Sequence, residues 1–104
     1  MNVMTLLMER IDDELQDACD YAKLALEYRD TDPELAVLFA RLSEEEMTHM
    51  NLLHGAAVEQ IERIRRQGGT VPEAMAAVYE YLHKRQIDKA EGVKRYQSMF
   101  RRAQ

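Results

Sequence analysis

The sequence predicts an all-α chain, an antiparallel helical hairpin followed by a third long helix. Apolar residues recur at alternating three- and four-residue spacing over long stretches, which is the signature of packed amphipathic helices. Only two clusters able to break a helix occur in the 104 residues, Asp30-Thr31-Asp32-Pro33 and Gln67-Gly68-Gly69-Thr70-Val71-Pro72. No strand pattern, solenoid-period repeat or low-complexity stretch competes with this reading.

The first helix is expected over residues 3–30. Met4, Leu7, Ile11, Glu14, Ala18, Tyr21, Ala25 and Tyr28 form its seam, widened by Leu15, Ala22 and Leu26. Asp32 then offers an N-cap and Pro33 an N1 residue, so a second helix is expected over 33–67. Its stripe reads Phe39, Leu42, Glu46, His49, Leu53, Ala56 and Gln60. A glycine at Gly68-Gly69 ends it, and Thr70 or Val71-Pro72 starts a third helix running to about residue 101. Residues 1–67 thus form a hairpin, and 72–104 a basic helix for packing or oligomerisation.

Composition bounds the function. One domain with 46% hydrophobic residues builds a modest core without a large enclosed cavity. The methionines, spread over all three helices, read as core filler. The longest apolar run, Leu35 to Ala40, is too short to span a membrane, and Met1 to Ile11 is too short and too soon acidic for a signal peptide. A single cysteine, Cys19, forms no disulfide within the chain, so a cytoplasmic setting is expected. Residues 1–62 carry fifteen acids and four bases, whereas 63–104 carry four acids and ten bases. The basic pairs Lys94-Arg95 and Arg101-Arg102 lack a recognition motif, so nucleic acid is not an expected partner.

Both hairpin stripes contain polar residues at positions that should face a neighbour: Glu14 in the first, Glu46 and His49 in the second. Burying a carboxylate without a partner is costly, so the three call for a common one. Glu and His at i, i+3 share a helix face, and both are good ligands for iron, manganese or zinc. Counted from the turn near residue 31 at about 1.5 Å per residue, Glu14 and Glu46 each lie about 23 to 26 Å away, level with one another in a hairpin. One hairpin supplies three ligands. A di-metal carboxylate site takes a Glu from each of two helices and a Glu-x-x-His from each of two others, so two copies would supply the full set.

In these residues the chain resembles the ferritin-like superfamily, specifically its single-hairpin members such as the encapsulated ferritins, with rubrerythrin more distant. The likeness runs from Asp13 to Leu53: Glu14 with Tyr21 seven residues on, then Asp32-Pro33-Glu34-Leu35, then Glu45-Glu46-Met47-Thr48-His49. The resemblance implies a four-helix-bundle core completed by dimerisation and a di-iron centre that oxidises Fe(II) with O2 or peroxide. It makes Glu14, Glu46 and His49 the metal-binding and catalytic residues. Glu14 would be the first-helix carboxylate, Glu46 the bridging carboxylate, His49 the terminal ligand and Tyr21 an aromatic beside them. The chain ends in Ser98-Met99-Phe100-Arg101-Arg102, inside a helical pattern, instead of in a linker and shell-targeting peptide, so an encapsulating shell is not expected.

Other readings stand beside this one. The second helix rotated to bring Glu45 inward, or a purely polar Glu14–Glu46–His49 network, would remove the ion. A structural Mn or Zn bundle, or a non-catalytic helical assembly protein, would keep the fold without oxidation. Glu80-Tyr81-Leu82-His83 repeats the Glu-x-x-His spacing, but level counting sets His83 opposite His54 or Gly55, and Glu91 nearest Glu46.

Overall fold

The first two helices begin where a side chain satisfies an orphaned backbone N–H. In the computed structural model, which describes residues 2–103, Asn2 Oδ1 accepts from the Met4 N–H at 2.7 Å and opens α1 (Val3–Tyr28). Asp32 Oδ1 accepts from the Leu35 N–H at 3.2 Å, with Pro33 at N1, and opens α2 (Pro33–Arg66). The third helix, α3, spans Glu73–Ala103. There is no strand among the described residues, and no helix among them is long and apolar enough to cross a membrane. Met1 and Gln104, the outer ends of the expected segments, lie outside the described residues.

The helix ends differ from expectation by two residues at most. The tight turn after Tyr28, where the Asp32 N–H donates to the Tyr28 carbonyl at 2.9 Å, takes the last two residues expected in α1. At the end of α2, Gly69 N–H donates to Ile64 O at 3.0 Å and Gly68 N–H to Arg65 O at 3.1 Å, with Gly68 at φ 75°. This paired closure satisfies two terminal carbonyls and needs a left-handed residue, the role of Gly68. One turn earlier, the hydrogen bond from Arg66 to Glu59 at 2.8 Å, with the Arg66 and Arg63 charges, holds the Glu59 carboxyl below its ordinary range.

Helix α1 is the common wall: α2 and α3 each pack along it and touch one another little. The core is a stack of three layers. Met4, Met8 and Ala57 form one, with Tyr79 and Leu82 against them. Ile11, Leu15, Ala18, Met47, Met50 and Val93 form the middle one, with Cys19 packed at its edge. Ala25, Ala36 and Phe100 close the end near the first turn.

Burial is rotated relative to the expected stripes. On α1 it centres on Met8, Leu15 and Ala22 as well as Met4, Ile11, Ala18 and Ala25, while Glu14, Tyr21 and Tyr28 are only half-buried. On α2 the buried residues are Ala36, Ser43, Met47, Met50 and Ala57. The expected stripe lies at the rim instead, with His49 and Ala56 exposed. The cause is α3, which covers the hairpin from the side opposite Glu14 and draws the core toward itself. Met99, expected in the core, is 46% exposed.

Polar side chains fix α3 in place. Gln97 Nε2 donates to Ser43 Oγ at 2.9 Å, and Ser43 Oγ donates to the Ala18 carbonyl at 2.7 Å, so one buried hydroxyl joins all three helices. Gln86 Nε2 reaches the Met8 carbonyl at 3.3 Å and Asp12 Oδ1 at 3.1 Å. Of the charge asymmetry between the halves, Arg101–Glu44 at 3.5 Å is the ion pair that crosses between α3 and α2. Lys23 lies 5.5 Å from the Tyr96 ring centroid, a cation–π contact between α1 and α3.

Removing the buried Ser43 hydroxyl leaves the half-buried Gln97 amide without its partner. Ser43→Ala is expected to lower unfolding stability in urea by about 1–3 kcal/mol, whereas Gln16→Ala, at an exposed position, stays within about 0.5 kcal/mol.

Candidate metal centre

Glu14, Glu46 and His49 meet on the hairpin face that α3 leaves open. Each offers one ligand atom, and these atoms lie within 4.8 Å of one another. His49 Nδ1 stands 3.6 Å from Glu14 Oε2 and 3.7 Å from Glu46 Oε2, too far for good hydrogen bonds but close enough to share one ion. Level counting in the sequence anticipated this meeting, because the rise per residue in both helices is the same. The middle core layer lies directly behind: Leu15 next to Glu14, Met47 next to Glu46 and Met50 next to His49 are all in it.

The exposure of its two neighbouring acids shows how α2 is rotated. The Glu46 side chain is 20% exposed and turns toward Glu14, while Glu45 is 50% exposed and pairs outward with Arg41 at 3.2 Å. Arg10 likewise pairs with Asp13, on the outward side of Glu14. The nearby cations are thus spent on outward acids, and the inward carboxylates face each other with only an imidazole between them. Glu14 Oε2 is buried and has no hydrogen-bond partner. An acceptor in that state is satisfied by a cation or by a proton, and a bare carboxylate pair at this separation is mutually repulsive.

The donor set fits a divalent transition metal. Two carboxylates and one neutral imidazole suit iron, manganese or zinc, and each carboxylate has a second oxygen free to bridge to another ion. Three protein donors fall short of a closed four-ligand shell, and His49, with a side chain 56% exposed, holds the open side. Tyr21, half-buried two turns along α1 from Glu14, stacks on Phe39 of α2 at 6.1 Å between ring centroids and closes the hairpin above the site.

The other candidates fall elsewhere. His83 stacks on His54 at 5.2 Å between ring centroids, the partner that level counting gave it, and both lie in a cleft between α2 and α3. Glu80 lines the same cleft. Glu91 is exposed and is not part of the cluster. Sequence periodicity passed over Ser43, Gln86 and Gln97, the polar residues that seat α3, since isolated polar side chains on a helix read as surface.

Comparison with protein families, with curated proteins and with solved structures finds no match to this chain.

Two carboxylates held this close repel one another while no metal is bound between them. Glu14→Gln is therefore expected to stabilise the metal-free protein by about 0.5–2 kcal/mol in thermal unfolding and to lose the stabilisation that added divalent metal gives the wild type.

Proposed function

We propose that two copies of this chain join their open hairpin faces around a di-iron carboxylate centre of ferritin-like kind, with ferroxidase activity. The observation that carries the reading is the convergence of Glu14, Glu46 and His49 within 4.8 Å around a buried Glu14 oxygen that has no partner.

The placement of α3 supports the dimer. It occupies the back of the hairpin, so a second hairpin has free access to the front. Around the ligands that front is apolar and only half-buried: Leu7 and Tyr21 on α1, Leu42 and Leu53 on α2, with Leu38 47% exposed beyond them. A two-fold axis through this face makes every contact twice and doubles the donors to four carboxylates and two imidazoles. That is the complement a two-metal bundle core uses.

Within such a centre each residue has a defined task. Glu46, the less exposed carboxylate at 20% against 25% for Glu14, would hold the metal from α2 and Glu14 would hold it from α1. His49 would add one neutral nitrogen donor from its exposed side. Anionic oxygen donors favour the higher charge of Fe(III), so the oxidised product is held better than its precursor. Bound there, two Fe(II) ions would each give up one electron, together the two that reduce O2 to hydrogen peroxide or peroxide to water.

Anaerobic Fe(II) titration followed by oxygen-electrode measurement tests the reading. The expected result is about one iron per chain in a species of twice the chain mass, rapid O2 uptake on aeration, and loss of both in Glu46→Ala with helicity unchanged. Equal iron binding by Glu46→Ala would overturn the assignment. Metal-dependent stabilisation without O2 uptake would replace it with a structural Mn or Zn bundle, and a folded oligomer that takes up no specific metal would replace it with an assembly protein.

A further inference from the structure

We propose that His54, Glu80 and His83 form a second divalent-cation site, of zinc-binding type, in the cleft between α2 and α3. It is independent of the Glu14–Glu46–His49 cluster, which lies on the other face of the hairpin.

The fold brings two imidazoles from different helices together. The His54 and His83 rings lie 5.2 Å apart between centroids and are 17° from parallel. Rotation of either ring about its Cβ–Cγ bond turns a nitrogen edge toward the other, the arrangement that chelates a cation. Glu80 stands one turn before His83 on α3, the same spacing as Glu46 to His49, so turning its exposed side chain from Lys84 toward the cleft would bring its carboxylate to an ion held by His83.

The surroundings leave room and a donor set of the right kind. His54, Glu80 and His83 all line one cleft of about 300 Å³ whose walls include Val58, Ile61 and Tyr79, with the exposed Arg65 as the one basic side chain on its rim. Glu80 now pairs with Lys84 at 3.5 Å, but both side chains are more than 70% exposed, and an ion pair that wet is readily given up. Two imidazoles and one carboxylate, with a fourth position open to solvent, is a recurrent zinc arrangement.

A separate observation points to the same place. Gln86, only 4% exposed and one turn after His83, lines the adjoining part of the cleft with both histidines. Its amide nitrogen is taken by Met8 and Asp12, which fixes its Oε1 as an acceptor, and that oxygen is buried with no donor. Metal-bound imidazoles commonly donate their second N–H to a carbonyl or carboxylate, which sets the tautomer that frees the other nitrogen for the ion. Gln86 Oε1, which lines the cleft beside both histidines, is an acceptor still free for such a bond. Because α2 and α3 otherwise touch little, an ion held by both would tie the free edge of α3 to the hairpin.

Calorimetric titration of the full chain with Zn2+, in a Glu46→Ala background that removes the first site, tests the proposal. The expected result is about one Zn2+ per chain, weakened about tenfold or more by His54→Gln, His83→Gln or Glu80→Gln, with a zinc-dependent rise in melting temperature lost in the same variants. Glu80→Gln changes only an exposed side chain, so its effect does not pass through misfolding. No Zn2+ binding in the Glu46→Ala background, or binding unchanged in the three variants, would overturn the proposal and leave the iron reading intact. Zn2+ binding that depends on His54 in a chain whose wild type takes no iron would sustain this site and remove the other.

Discussion

The structure turns on two carboxylates that core packing holds against one another beside the His49 imidazole. Glu14 and Glu46 come from different helices, stand at one level, and have their neighbouring arginines paired elsewhere. Packing holds them there: Ile11 and Leu15 on one helix and Met47 and Met50 on the other are buried in a single layer, and rotating either helix to release a glutamate would expose part of it. Burial of that layer is worth several kcal/mol at about 25 cal/mol per Å² of apolar surface. The repulsion between two partly hydrated carboxylates is smaller, so the core wins and the two glutamates stay side by side.

The third helix decides what those glutamates face. Had α3 packed over the front of the hairpin, its side chains would have completed or covered the cluster. It packs over the back instead, seated by Gln86 on Met8 and Asp12 and by Gln97 on Ser43. The chain therefore has one closed face and one open face, and the open one carries both the incomplete donor set and the half-buried apolar rim. The proposed dimer answers both features with one contact. At the free edge, where α2 and α3 diverge, the same geometry leaves a cleft holding a histidine from each.

What could be read from the sequence followed from quantities that do not depend on tertiary context. Asp32-Pro33 and Gly68-Gly69 marked the helix ends because capping and left-handed backbone are local demands, met here by the Leu35 N–H and by Gly68 at φ 75°. The meetings of Glu14 with Glu46 and of His54 with His83 followed from a constant helical rise along two turns of known position. The rotation of each helix did not follow. A stripe containing Leu7, Glu14 and Tyr21 and one containing Met8, Leu15 and Ala22 are adjacent on the same helix, and only the position of α3 distinguishes core from rim. That position rests on buried glutamines, which periodicity reads as solvent-facing. The open rim around the ligands was legible as an apolar stripe but not as a surface.

Magnetic spectroscopy of the oxidised, iron-loaded protein tests the central claim most directly, since it reports whether two ions share the carboxylates. At about one iron per chain, a shared centre holds two ferric ions bridged by the glutamates, and their spins couple. The account predicts iron that is silent in electron paramagnetic resonance and appears as a coupled pair in Mössbauer spectra. A strong signal from isolated high-spin ferric ion, accounting for all the iron bound, would mean that each hairpin holds its own ion and would contradict the two-copy site.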